Sequence, residues 1–267
     1  MENEPPNPYA APAAAAPAVD TDFLKLPSGQ RGKYRDNQRL AQVLIGFLVF
    51  GAAVHLTRGG LNISYTFGSK MQESIERMMA MTYLTYLICM VIFGVWIVRS
   101  AKNAWLFAEI RQKHVAGGNP LGFLAIGRSM RPNDTPGWAL GWYFIPIANL
   151  WKPYVAMKEI VEASTHKREL PRFILPTWWT LWILASFTEQ ISRYSTDQTE
   201  AWDKVVSAVM WGCYSGVDVA LNIIAILLVR EVTNLQTQTA VELASSRALS
   251  EVETSTAKPS PQSGSSE

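Results

Sequence analysis

Four long apolar runs alternate with polar stretches along the chain. Residues 40–57 read LAQVLIGFLVFGAAVHLT, 18 residues interrupted by one His. Residues 78–98 read MMAMTYLTYLICMVIFGVWIV, 21 residues without a charge. Residues 173–188, FILPTWWTLWILASFT, form a 16-residue run, and the helix is expected to reach 191. Residues 205–229, VVSAVMWGCYSGVDVALNIIAILLV, carry one Asp in 25 positions. About 20 helical residues cross a bilayer core of roughly 30 Å. The pattern predicts an all-α fold: an integral membrane four-helix bundle with spans near 40–57, 78–98, 173–191 and 205–229.

A fifth uncharged run, residues 137–151 (GWALGWYFIPIANLW), is too short to cross. It would reach only about 22 Å as a helix. Pro146 removes a backbone donor in its middle, and Pro153 follows it. Its tryptophans suit the headgroup level of a membrane. The run is therefore read as a re-entrant or interfacial segment on the cytoplasmic side. A re-entrant placement requires cover from the spans, because irregular backbone at depth needs protein or water around it.

The polar stretches complete the organisation. Residues 99–114 continue the second span as a helix and stop at Gly117-Gly118. Residues 154–168 are amphipathic, with Val155, Ile160 and Val161 on one face. Beyond Arg230 a helix is expected to about Ser250. Residues 1–36 read as a disordered Pro/Ala-rich tail and 37–236 as the membrane domain. Residues 237–267 read as a cytoplasmic tail ending in low-complexity sequence. The start is acidic and proline-broken, unlike a cleaved signal, so the first run is expected to serve as an uncleaved anchor.

Charge sets an expected orientation. Of the 24 Lys and Arg residues, 19 fall before the first run, between the second and third, or after the fourth. Positive residues favour the cytoplasmic side. Both termini and the long central stretch are thus expected in the cytoplasm. Making 137–151 a span would move Lys152, Lys158, Lys167, Arg168 and Arg172 outside and collapse that bias.

The net charge of +2 gives no reason to expect a nucleic-acid partner. Basic residues of the central stretch are matched instead to anionic headgroups of the lipid bilayer. The two cysteines lie in apolar runs, and the three histidines are scattered without metal-ligand spacing. No nucleophile–base pair and no phosphate loop is visible. The expectation is a protein without catalytic residues, metal or cofactor.

Asp218 stands out in the middle of the fourth run. An acid there costs about 3 kcal/mol on insertion scales. Twelve Val, Leu and Ile residues in the same run, each favourable by roughly 0.3–0.6 kcal/mol, outweigh it. Tyr214 and Asn222, four residues either side, share its helical face. The functional reading is a proton or cation site, and the plain one is a hydrogen-bonded clamp between helices. Tyr83, Thr85 and Tyr86 of the second run are candidate partners. On the opposite face, Gly212 and Gly216 form a GxxxG pattern that lets backbones approach. It is read first as helix packing within the chain, with homodimerisation as the alternative use.

Three elements resemble a known family. Trp96, Arg99 and Asn103 form a W-x-x-R-x-x-x-N element. Pro136, Gly137, Trp138, Gly141, Trp142, Phe144, Pro146, Asn149, Pro153 and Tyr154 lie in a PGWxxGWxFxPxxNLWxPY block, followed by Met157 to Ile160. Val229, Arg230, Thr233 and Gln236 resemble its closing element. Over about residues 40–236 the chain is similar to the bacterial domain-of-unknown-function family numbered 4328. The resemblance implies a multi-span bacterial membrane protein and brings no reaction, substrate or cofactor. The resulting expectation is a binding, scaffolding or sensing unit acting on an unidentified protein partner. The alternative is a small transporter or channel that uses Asp218.

Overall fold

A computed structural model describes residues 33–67, 72–116, 132–165, 169–194 and 201–256. Those residues form no β-strand. Among the described residues six α-helices follow one another: α1 (Gln38–Thr66), α2 (Gln72–Ala116), the single turn α3 (Trp138–Gly141), α4 (Lys152–Ser164), α5 (Ile174–Tyr194) and α6 (Ala201–Thr256). Two short 3-10 turns, Trp142–Phe144 and Ala148–Leu150, lie between α3 and α4.

Helices α1, α2 and α6 are long and apolar enough to cross a membrane. Their outward faces are apolar too: Val49 and Leu56 on α1, Leu84 and Val91 on α2, and Val209 and Ile223 on α6 are all exposed. A helix apolar on its inner and outer faces fits a lipid surround. The third apolar run becomes α5, a 21-residue helix beginning at Ile174. Pro176 fits in its first turn, where a missing N–H breaks no helical bond.

The long helices outrun the apolar stretches. α1 continues through Gly59 and Gly60 to Thr66, so Arg58 belongs to a helix and is buried, rather than lying in a connecting loop. α2 runs unbroken through the apolar stretch and its polar extension to Ala116. α6 passes the expected Ser250 and ends at Thr256. The expected boundaries at 36 and 236 do not divide the packing. Tyr34 packs with Leu106, Phe107, Ala240 and Leu243 in a small second core. Residues 1–32 and 257–267, assigned to tails, lie outside the described residues.

α1 runs antiparallel to both α2 and α6. Along the α1–α6 seam Tyr34 meets Thr237, His55 meets Asp218, and a Cβ on Gly59 would meet Ser215. α1 packs on α6 and α2, and α5 also packs on α6. The main core gathers Leu44, Trp96, Ile97, Met157, Ile160, Trp178, Leu228 and Val232. It lies toward the end of the structure where α1 begins and where α2 and α6 continue. That end is called proximal below, and the opposite end distal.

Candidate functional site

Asn103 organises the proximal end. Its Nδ2 donates to the Arg35 carbonyl at 2.9 Å and to Gln236 Oε1 at 3.1 Å, and its Oδ1 accepts the Arg35 N–H at 3.1 Å. Gln236 Nε2 donates onward to the Ser100 carbonyl at 2.9 Å and to Ser164 Oγ at 3.0 Å. Thr239 Oγ1 donates to the Ser164 carbonyl at 2.6 Å, Asn37 Nδ2 donates to Ser100 Oγ at 3.2 Å, and Trp96 Nε1 donates to Thr233 Oγ1 at 3.1 Å. Asn103, Gln236 and Ser164 are each no more than 1% exposed. Helices α2, α4 and α6 and the lead-in to α1 thus converge on one buried amide pair. Buried polar groups left unpaired are expensive, so every partner here constrains the others. Burial also raises the Tyr34 phenol above its ordinary pKa, the Thr237 hydrogen bond opposing.

The run 137–151 is folded back and capped by Asp134. The Asp134 carbonyl accepts Trp105 Nε1 of α2 at 3.1 Å. Its carboxylate accepts Trp142 Nε1 at 2.9 Å and lies 3.9 Å from Lys152 Nζ. The Lys152 ammonium also sits 4.6 Å from the Trp142 ring centre, a cation–π distance. Trp138 and Trp142 are neighbours at 4.8 Å between centroids. A Cβ at Gly141 would come within 2.8 Å of the Trp138 ring, so this fold-back requires glycine there. Leu140 fits against Gly94 of α2, and Tyr143 packs edge-on to Phe93 and to Trp182 of α5. The inner side is therefore covered by helices. The outer side presents Phe144, Ile147, Leu150 and Trp151, with Ile147 72% exposed. Pro153 is buried at the first turn of α4.

A second polar centre lies between α1 and α6 toward the distal end. His55 Nδ1 is 3.1 Å from Asp218 Oδ2. The approach is not aligned as an N–H···O hydrogen bond, and both atoms are buried without another such partner. Arg58, 3% exposed, lies over the rings of Trp211 and Tyr214 at 5.5 and 5.6 Å and donates to the Tyr214 hydroxyl at 3.4 Å. Asn222 Nδ2 donates to the Asp218 carbonyl at 2.8 Å. The close α1–α6 approach is made by Gly59 against Ser215, where an added Cβ would fall 1.9 Å from Ser215 Oγ.

The structure sorts the residues singled out in the sequence. Trp96 and Asn103 join Thr233 and Gln236 in the proximal network, while Arg99 beside them is half-buried. Trp138, Gly141, Trp142 and Pro153 build the folded-back segment. Tyr154 packs on the main core, and the Asn149 Oδ1 is buried without a hydrogen-bond partner. Pro136 and Gly137 make the turn into α3, and Pro146 is exposed on the outer side. Asp218, Tyr214 and Asn222 do share one site. Its ionisable partner is His55 of α1; Thr85 of α2 is buried nearby against Gly51, and Tyr83 and Tyr86 are exposed.

Packing through Gly212 and Gly216 is corrected. Both are exposed, a Cβ at Gly216 would meet nothing within 4 Å, and one at Gly212 would meet only Ile63 at 4.0 Å. Gly216 faces open space, Gly212 only edges Ile63 of α1, and Gly59 takes the close-packing role. His55 and Arg58 were missed because neither belongs to a ligand motif. Their i, i+3 spacing at the end of an apolar run, opposite a run holding one acid, is the available signal. Asp134 and Ser164 leave no such signal.

These features define an all-helical protein with three helices fit to span a membrane and a motif-built polar network at one end. The chain belongs to the DUF4328 family, a domain of unknown function, whose family model matches residues 71–234. That match is shorter than the expected 40–236 and leaves α1 outside. No curated protein and no solved structure matches the chain.

Proposed function

We propose that the protein is a four-span protein of the bacterial inner membrane, with α5 as the fourth span and the proximal end in the cytoplasm. It acts as a binding and scaffolding unit. The observation that carries this reading is the continuity of α2 and α6. Both leave the apolar region as unbroken helices and are locked to α4 through Asn103, Gln236 and Ser164. The part outside the lipid is thereby rigidly tied to the part inside, as a scaffold or sensor needs. The folded-back segment rests its Phe144–Ile147–Leu150 side in the cytoplasmic leaflet, and Lys152 beside it meets anionic headgroups.

Two experiments test the reading. Topology reporters fused after Arg168 and after Glu200 should report cytoplasm and periplasm respectively; the reverse at either position overturns it. Photo-crosslinkers placed along α4 in living cells should trap a discrete protein partner, with the yield lowered by Trp142→Ala. Lipid-only adducts at every position would sink the scaffold role.

A second reading, a small transporter or channel, draws on one observation: the acid of α6 lies 3.1 Å from a titratable His on α1. Proton or cation flux in proteoliposomes, lost in Asp218→Asn, tests it; a silent wild type removes it.

A further inference from the structure

We propose that His55 and Asp218 form a proton-binding site between α1 and α6, in which His55 takes up the proton and Asp218 is its counter-ion. This deepens the site used in the second reading but requires no transport.

The inference starts from the two facing atoms. His55 Nδ1 and Asp218 Oδ2 lie 3.1 Å apart, and both are buried with no aligned hydrogen bond to any other group. An unprotonated imidazole nitrogen and a carboxylate oxygen are both acceptors and repel at this distance. A proton on Nδ1 removes the repulsion. A neutral imidazole donor gains most from a straight N–H···O line, which the pair lacks. An imidazolium gains from charge alone, whatever the angle, and that gain grows where water is scarce. The misaligned contact therefore favours the charged pair. On proton uptake an N–H bond forms at Nδ1, an O–H bond of a hydronium ion breaks and releases water, and Asp218 stays a carboxylate.

Among the described residues, Asp218 is the one acid across α1, α2 from 77 to 108, α5 from 174 to 188 and α6 from 204 to 230. α1 adds Arg58, whose guanidinium is engaged with Trp211 and Tyr214. α6 adds the Tyr214 phenol and the Asn222 amide, which donates to the Asp218 backbone. α2 brings buried Thr82 and Thr85, half-buried Cys89, and exposed Tyr83 and Tyr86. The stretch of α5 from 174 to 188 holds no ionisable residue. With His55 neutral, Arg58 and Asp218 balance; proton uptake leaves the cluster one positive charge. The His55 and Asp218 side chains keep 16% and 11% of their exposure.

The site also lies on the seam that holds α1 to α6. One turn further along, the Gly59 backbone rests on Ser215, leaving little slack between the helices. Charging His55 adds attraction across that seam, and discharging it restores two facing acceptors.

The test uses the full chain in nanodiscs of zwitterionic lipid, with the ring nitrogens of its three histidines followed by NMR between about pH 5 and 8, the range where histidine titrates. His55 is assigned by loss of its signal in His55→Gln. The expected result is an imidazolium signature at His55 in the wild type at mildly acidic pH. At the same pH that signature should fall severalfold in Asp218→Asn. The thermal midpoint of the wild type should rise on acidification across this range, and that rise should be absent in His55→Gln. A His55 that stays neutral throughout, or an imidazolium signal equal in Asp218→Asn, overturns the proposal. Proton uptake at His55 without flux in proteoliposomes upholds the site and removes only the transport reading.

Discussion

Asn103 and Gln236 meet side chain to side chain, 3.1 Å apart, although 133 residues separate them in the chain. Each amide spends its remaining capacity on backbone or on Ser164, so the contact joins the lead-in to α1, α2, α4 and α6. Asn103→Leu leaves the Arg35 N–H and carbonyl and the Gln236 carbonyl oxygen without their partner. The expected loss is about 2 kcal/mol, from one buried and two partly buried polar groups left unpaired. The thermal midpoint in detergent should fall clearly, and an unchanged midpoint would show that the network carries no stability.

Gly59 and Gly60 offer a paired comparison on one helix. A Cβ at Gly59 would fall 2.7 Å from Ser215 Cβ, which cannot rotate away, whereas at Gly60 it would meet nothing within 4 Å. Gly59→Ala should destabilise the α1–α6 seam. Gly60→Ala should be neutral or stabilise by up to about 1 kcal/mol, the ordinary helix gain over glycine. Equal midpoints for the two variants would contradict the seam described above.

Trp142→Phe keeps an aromatic ring against Trp138 but loses the hydrogen bond to Asp134 and weakens the hold on Lys152. The folded-back segment should loosen by about 1–2 kcal/mol, from one charge-assisted hydrogen bond and part of a cation–π contact. Limited proteolysis should then cut between 132 and 151 faster than in the wild type, while the cores of α1 and α6 stay protected. Unchanged cleavage there would mean that Asp134 does not hold the segment.

A probe attached at Ile147→Cys should be quenched by spin-labelled lipid in bilayers, and one at Asn133→Cys by a water-soluble quencher. The basis is the exposed apolar side of the 3-10 turns set against the exposed polar turn before α3. Aqueous quenching at both positions would place the segment away from lipid.

Gly216→Ile adds a side chain where, among the described residues, no neighbouring element comes within 4 Å of the Cβ position. The monomer should keep its midpoint. A subunit count by photobleaching in liposomes then decides homodimerisation: a dimeric wild type that turns monomeric in this variant places the interface at Gly212 and Gly216.

The sequence by itself determined the helical class, the apolar stretches and the family. Run length and local periodicity are properties of adjacent residues, and the Trp- and Gly-rich block from Pro136 to Tyr154 is specific over a short window. It also marked Asp218 as unusual, because an acid among twelve aliphatic residues is visible without coordinates. Only the tertiary structure decided what these residues meet. The partner of Asp218 comes from the register of α1 against α6, which put His55 at its level and left Tyr83 and Tyr86 on an outer face. The same register gave the close approach to Gly59 and turned Gly212 and Gly216 outward, since a small-residue stripe does not say which helix lies beside it. Trp96, Asn103, Thr233 and Gln236 were legible as motif letters, but the pairing of Trp96 with Thr233, and of Asn103 with Gln236 and through it Ser164, depends on how α2, α4 and α6 dock. Such contacts between distant segments arise from packing geometry, which no local pattern encodes.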